Sequence, residues 1–141
     1  MDSLPVLVAD TEGVTRFLFQ SNQFTASSGR VRPPAMMPYE NKQKQRWETS
    51  AIRTDHLQTG EIWALGYLHA ENVLAGRRIR ARGIGEVAAI TALALQLDVN
   101  GDPYPRHVDI VGWPNSNDKA ARMMVATEIA NEMSLEIDPR P

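Results

Sequence analysis

The sequence contains no cysteine among its 141 residues. That excludes disulfides, a thiol nucleophile and cysteine-ligated zinc. No apolar run approaches the roughly 18 residues that a membrane span needs. The segment Met1–Pro5 has no basic region followed by an apolar core, so no secretory signal is expected. There is no G-x-x-x-x-G-K-[ST] loop, no H-E-x-x-H helix and no internal repeat. What is present is ordinary globular material. The residues are 43% hydrophobic and 23% charged, enough apolar side chain to exclude disorder throughout. The length fits one domain. These features predict a soluble, cytoplasmic protein of one domain spanning 1–141.

The net charge is −2, but the charges are uneven. Residues 30–82 hold ten basic side chains against five acidic ones, and the flanks carry the acidic excess. A basic centre in an acidic chain can attract an anionic partner. It can equally be neutralised by the chain's own acids.

Alternation of apolar and polar residues predicts strands at Val14–Gln20, Arg30–Arg32, Trp47–Arg53 and Arg106–Trp113. Residues 4–9 read as a short strand or a loose arm. Pro33-Pro34 stops the second strand. The stretch 36–46 contains Pro38 and a polar run and is expected to be a flexible loop. Thr59 is the expected cap of a first helix, which Gly76 ends in a left-handed conformation. A second helix is expected from a Ser116 or Asn117 cap, burying Ala121, Val125, Ile129 and Met133. Asn100–Pro103 reads as a turn. Residues 84–97 are ambiguous between helix propensity and strand parity. Parity favours one strand over about 78–90, with a helical turn at 91–96. Strands cluster instead of alternating with helices. The expected fold is therefore α+β, a mainly antiparallel sheet with two helices packed on it.

Several motifs bear on chemistry. Gly83-Ile84-Gly85-Glu86-Val87-Ala88 matches G-x-G-x-x-A, but a charged run precedes it, not a buried strand inside a βαβ unit. Close strand packing explains the glycines better than a dinucleotide. His56, His69 and His107 lack metal-binding spacing, so no metal and no cofactor are expected. His107 and Asp109 form the best acid/base pair. On a strand they point the same way, about 7 Å apart by strand rise, close enough to share a site.

The arginines form the other constellation. Arg30 and Arg32 share one strand face, and Arg78, Arg80 and Arg82 share another. Arg53, Arg106 and Trp113 complete the candidate ligand-binding set. Guanidinium groups bind phosphate bidentately, and Tyr39, Trp47 and Trp63 could stack on bases. Three functions follow from these residues. The first is a binding protein engaging nucleic acid or an acidic protein through an arginine-bearing sheet face. The second is a small hydrolase or phosphodiesterase using His107. The third is a homo-oligomer or a subunit of an assembly, with Met36-Met37 and Met123-Met124 at an interface.

Three segments, Ala51–Leu57, Glu61–Gly66 and Arg106–Pro114, resemble segments of a family of small bacterial proteins of unassigned function. This local resemblance implies a bacterial or phage origin and a free-standing domain. It implies no activity and no functional residues.

Overall fold

The computed structural model describes residues 7–73, 76–99, 104–114 and 117–141. The expected Asn100–Pro103 turn, the Ser116 cap and residues 4–6 of the first expected strand lie outside them.

The first strand, β1 (Gly13–Leu18), becomes the centre of the sheet, because both of its faces carry buried side chains. Val14 and Leu18 point one way and Phe17 the other, and all three are buried. Two short strands follow, β2 (Phe24–Thr25) and β3 (Arg30–Val31), which form a separate ribbon. The 3-10 turn Pro33–Met36 then starts at the expected proline pair. Residues 36–46 do not form one long loop. Tyr39–Asn41 is a strand, β4, hairpin-paired to β5 (Arg46–Arg53). Asn41 Oδ1 accepts the Lys44 N–H at 3.0 Å and closes the turn between them.

The first helix, α1 (Thr59–Leu65), is capped one residue earlier than expected, at Gln58. Glu61 explains the shift, since its carboxylate accepts the Gln58 N–H at 2.9 Å. A π turn over Gly66–Ala70 continues α1 into α2 (Glu71–Val73). Gly76 is left-handed, with φ 82°. Strand β6 (Ala81–Glu86) is shorter than the expected 78–90 strand, and helix α3 (Val87–Thr91) follows it directly. Helix propensity wins once the charged alternation ends at Glu86. Strands β7 (Gln96–Val99) and β8 (His107–Val111) come next. Helix α4 (Lys119–Glu132) is capped by Asp118, whose side chain accepts the Ala121 N–H at 2.9 Å. β9 (Ser134–Ile137) ends the fold.

The main sheet is antiparallel throughout, in the order β7-β8-β5-β1-β6-β9, with β4 also paired to β5. The chain is one α+β domain. No helix among the described residues is long and apolar enough to cross a membrane.

Helix α4, α3 and the 3-10 turn cover one face, over Leu18, Met36, Val108, Ile110 and Ile129. The buried line of α4 is Arg122, Ala126, Ile129 and Ala130, with Val125 and Met133 partly buried. A strict i, i+4 stripe drifts around a helix of 3.6 residues per turn, so the contact line takes i+3 steps as well. Burying Arg122 is possible because its guanidinium lies over Trp47, 3.8 Å from the ring centre.

The α1 segment covers part of the opposite face, over Phe17, Ile52 and Ile79. Gly66 makes this approach possible. A Cβ there would stand 2.7 Å from Ile79 Cδ1 and 2.8 Å from the Phe17 ring. Gly66→Ala is therefore expected to destabilise the fold, because overpacking costs about 1–3 kcal/mol and outweighs the helix-propensity gain of up to about 1 kcal/mol. Gly60→Ala, with nothing within 4 Å, should be neutral or stabilising. Urea unfolding of the two variants checks the contrast, and equal midpoints would contradict the packing.

The C-terminal segment fastens this helix. Arg140 pairs with Glu71 at 2.6 Å and Asp138 at 2.8 Å, and stacks over Tyr67 at 3.8 Å. Tyr67 donates its O–H to Asp138 at 2.6 Å. Burial and the Asp138 carboxylate push the Tyr67 phenol up to about 12.

Candidate functional site

The α1 segment leaves part of its face uncovered, and a cavity of about 560 Å³ opens there. Sheet register assembles its floor. Ser50 pairs with Asp109 and Ile52 with His107 across β5 and β8, so these four side chains share one face. Glu48 lies further along β5 on the same face by strand parity. Tyr39, Asn41 and Lys44 of the β4–β5 hairpin form one wall, and Ala70 and Val73 another.

His107, Asp109 and Glu48 are 4%, 2% and 2% exposed. His107 Nε2 stands 3.5 Å from Asp109 Oδ1. The strand-rise argument placed these residues in one site, and the side chains close the distance to ion-pair range. Arg46 is the hub of the cluster. It meets Glu48 at 2.7 Å, Asp98 at 2.7 Å and Asp109 at 3.6 Å. Glu48 also accepts from the Tyr39 hydroxyl at 3.1 Å and from Asn41 Nδ2 at 3.0 Å. Burial alone would raise the Glu48 carboxyl. Hydrogen bonds from Arg46, Tyr39 and Asn41 outweigh that and hold it below the usual carboxylate range. Burial raises the Tyr39 phenol, and the Glu48 and Asp109 charges raise it further. Burial raises Tyr104 as well, with Asp109 adding to the effect and Arg16 opposing it. Both phenols therefore keep their protons at neutral pH.

An aromatic chain leads into the cavity. His69, on the π turn, stacks on Tyr104 at 5.8 Å, and Tyr104 meets His107 edge-on at 5.3 Å. The wider turn rotates the residues after Gly66 relative to a regular helix, and it carries Ala70 at this wall and His69 beside Tyr104. His56 is exposed in the turn after β5, away from this chain. Among the described residues, no three His, Asp or Glu side chains converge as a metal-binding set.

The structure separates the arginines that parity grouped. Arg82 is 5% exposed, pairs with Glu136 at 2.8 Å, donates to Thr15 at 2.7 Å and lies under Trp63. Arg80 is exposed and lies over Phe24. Arg78 is exposed, with Asp138 at 3.8 Å and the Pro141 carbonyl at 3.1 Å. The three do not form one face: the Arg80 backbone still bonds to Leu18 and Asp138, but Ile79 packs on the α1 side and Ala81 on the α4 side, so the alternation breaks just before β6. Arg53 is buried against Glu12, and Arg106 donates to the carbonyls of Arg53 and Asp55. Trp113 is buried and donates its Nε1–H to Ile110 O at 2.9 Å. Arg30 and Arg32 are exposed.

The glycine pair of the G-x-G-x-x-A match lies within β6. A Cβ on Gly83 would meet Met133 at 2.9 Å and Val31 at 3.2 Å, so these glycines serve close packing. The sequence reading named Tyr39 only as a side chain that could stack on bases, and it missed Arg46, Glu48, Asn41 and Tyr104 as site residues. The available signal was the period-two pairing of Arg46 with Glu48 and of Tyr39 with Asn41. Compared with protein-family models, characterised proteins and solved structures, the chain shows no match.

Proposed function

We propose that the protein is a small hydrolase that cleaves an ester or amide bond in a small, uncharged substrate, with His107 as acid and base. One observation carries the reading: His107, Asp109 and Glu48 are all buried and all open onto one cavity. Buried ionisable groups are costly to keep, and they gather where chemistry uses them. The cavity volume suits a small molecule.

In this reading His107 takes a proton from a water molecule as its oxygen attacks the substrate carbonyl carbon. The proton then goes to the leaving oxygen or nitrogen as the bond to carbon breaks. Asp109 orients the imidazole and balances the charge it gains. The Tyr104 hydroxyl lines the cavity and keeps its proton, so it can donate to the oxygen that becomes negative, whereas the Tyr39 O–H is engaged by Glu48. A phosphodiester is less favoured. Arg46 is already engaged by three carboxylates, and Glu48 and Asp109 would repel an anionic substrate.

Hydrolysis of p-nitrophenyl acetate, p-nitrophenyl butyrate and bis(p-nitrophenyl) phosphate should be measured against the heat-unfolded chain as background. Wild type is expected to hydrolyse the esters, and His107→Gln to lose about 100-fold or more in kcat/KM with an unchanged circular dichroism melt. Turnover no faster than the unfolded chain, or full activity in the variant, would overturn the reading.

A further inference from the structure

Arg46, Arg53, Arg82 and Arg140 each lie within 2.8 Å of a carboxylate. Arg16, partly buried on the central strand, does not. Among the described residues, no carboxylate comes within 4.0 Å of it. Backbone holds it instead. Nε donates to the Ala35 carbonyl and Nη1 to the Ser50 carbonyl, both at 2.7 Å. β1 and β5 pair only at Val14–Arg53 and Thr15–Ile52, and beyond that register the Arg16 side chain bridges the two strands. Parity places Arg16 with Val14 and Leu18, and its Nε stays on that side at Ala35. The far end of the fork lies between the strands, and Arg16 lines the cavity with Ser50, Tyr104, His107 and Asp109.

Two neutral carbonyls occupy two of the five guanidinium N–H groups and cancel none of the charge. Nη2 has no partner among the described residues, yet it is not sealed from solvent. The open space at Arg16 is the cavity. The Tyr104 hydroxyl is in the same position, on the cavity and without a partner among the described residues. Of the charged groups around Tyr104, Arg16 acts on it most, countering the upward push of burial. Burial lowers the Arg16 guanidinium itself, as expected of an enclosed cation short of a counter-charge, although an arginine keeps its proton at neutral pH.

We propose that Arg16 is a further catalytic residue, the group that binds the substrate oxygen as it becomes negative, with the Tyr104 hydroxyl as second donor. This rests on the hydrolase reading above. As the water oxygen attacks, the carbonyl electron pair moves onto the carbonyl oxygen. Arg16 Nη2 donates a hydrogen bond to that oxygen and keeps its proton. The pair returns when the bond to the leaving group breaks, and the proton held by His107 departs with that group. An uncharged ester gives Arg16 no counter-charge, whereas the intermediate does, so the interaction strengthens along the reaction. Arg46 cannot play this part, because Glu48, Asp98 and Asp109 already engage it.

The test pairs p-nitrophenyl butyrate with p-nitrophenyl propylphosphonate, whose anionic tetrahedral phosphorus imitates the intermediate of that ester. Hydrolysis gives kcat and KM, and calorimetric titration gives the phosphonate Kd. Arg16→Gln is expected to lose about 100-fold in kcat with KM little changed, and to bind the phosphonate more weakly by a similar factor. Arg16→Lys keeps a charge without the fork and should fall between. Tyr104→Phe leaves both Arg16 hydrogen bonds in place and should show a smaller, matched loss, which keeps the comparison open if Arg16→Gln melts below the assay temperature. Butyrate, a planar anion, should bind wild type about tenfold or more weakly than the phosphonate. Equal binding of the two would make Arg16 a carboxylate site and overturn the proposal. So would wild-type kcat in the Arg16 variants, or a wild type that hydrolyses the ester and does not bind the phosphonate. Ester turnover that needs His107 but not Arg16 would overturn this proposal alone. Phosphonate binding that needs Arg16, without ester turnover by wild type, would overturn the hydrolase reading and keep Arg16 as an anion site.

Discussion

Ile129→Asp is expected to unfold the domain. Ile129 is 2% exposed, within the core that α4 closes over the sheet. The substitution removes a buried aliphatic side chain worth about 2–3 kcal/mol and places a carboxylate where nothing compensates it, at a cost of several kcal/mol more. The sum approaches the whole stability of an ordinary domain, about 5–15 kcal/mol. The control is Met124→Asp on the same helix, where the side chain is 67% exposed and the effect should stay within about 0.5 kcal/mol. Thermal melts followed at 222 nm compare the two. A cooperative transition for Ile129→Asp within a few degrees of wild type would show that α4 does not pack in this way.

Arg53→Ala is expected to cost about 3–5 kcal/mol, because it leaves Glu12 ionised and buried without its partner. The pair is bidentate, with Nε to Oε1 at 2.8 Å and Nη2 to Oε2 at 2.7 Å, and both side chains are 5% exposed or less. The Arg53 hydrogen bonds hold the Glu12 carboxyl below its ordinary value. The sign of the pH effect follows. In wild type the contribution is fully present above the unfolded carboxylate value, near 4.3, and is lost as pH falls through the lower folded value. In Arg53→Ala the largest lowering influence is gone while burial still raises the carboxyl against the Ala9 N–H and Arg106, so its folded value moves up and protonation relieves the buried charge sooner as pH falls. The gap between variant and wild type should be widest at pH 7 and narrow toward pH 4. Urea midpoints at both pH values decide this, and a constant gap would mean that Glu12 does not bear the loss.

Alternation made the central strands legible. β1, β5 and β8 carry buried residues on both faces or clean period-two runs, and the antiparallel α+β class follows from their clustering. Of the short strands, β3 was legible between its arginines and three others were not. β4, β7 and β9 have three or four residues each, with polar side chains on the solvent side, so too few positions repeat to set a period. The site divided along the same line. His107 and Asp109 follow from the i, i+2 rule on a single strand. Glu48, Arg46 and Asp98 join them only through the register between β5, β7 and β8, and register is a property of the pairing that one strand's sequence does not express. The arginines show the limit from the other side, because parity holds only while the strand does.

The order of strands in the sheet also bears on how the chain reaches its fold. β1 lies between β5 and β6, so the first strand to be synthesised has no edge partner until residues 46–53 and 81–86 exist. β9 closes the free edge of β6 last. Most ladder closures thus span dozens of residues, a topology that folds in milliseconds to seconds and not in microseconds. During that interval β1 exposes Val14, Phe17 and Leu18 and both hydrogen-bonding edges, which is an arrangement open to pairing with another chain. A chain shortened before Ser134 would keep the β6 edge open permanently, and it should accumulate in inclusion bodies even though the cavity residues are all present.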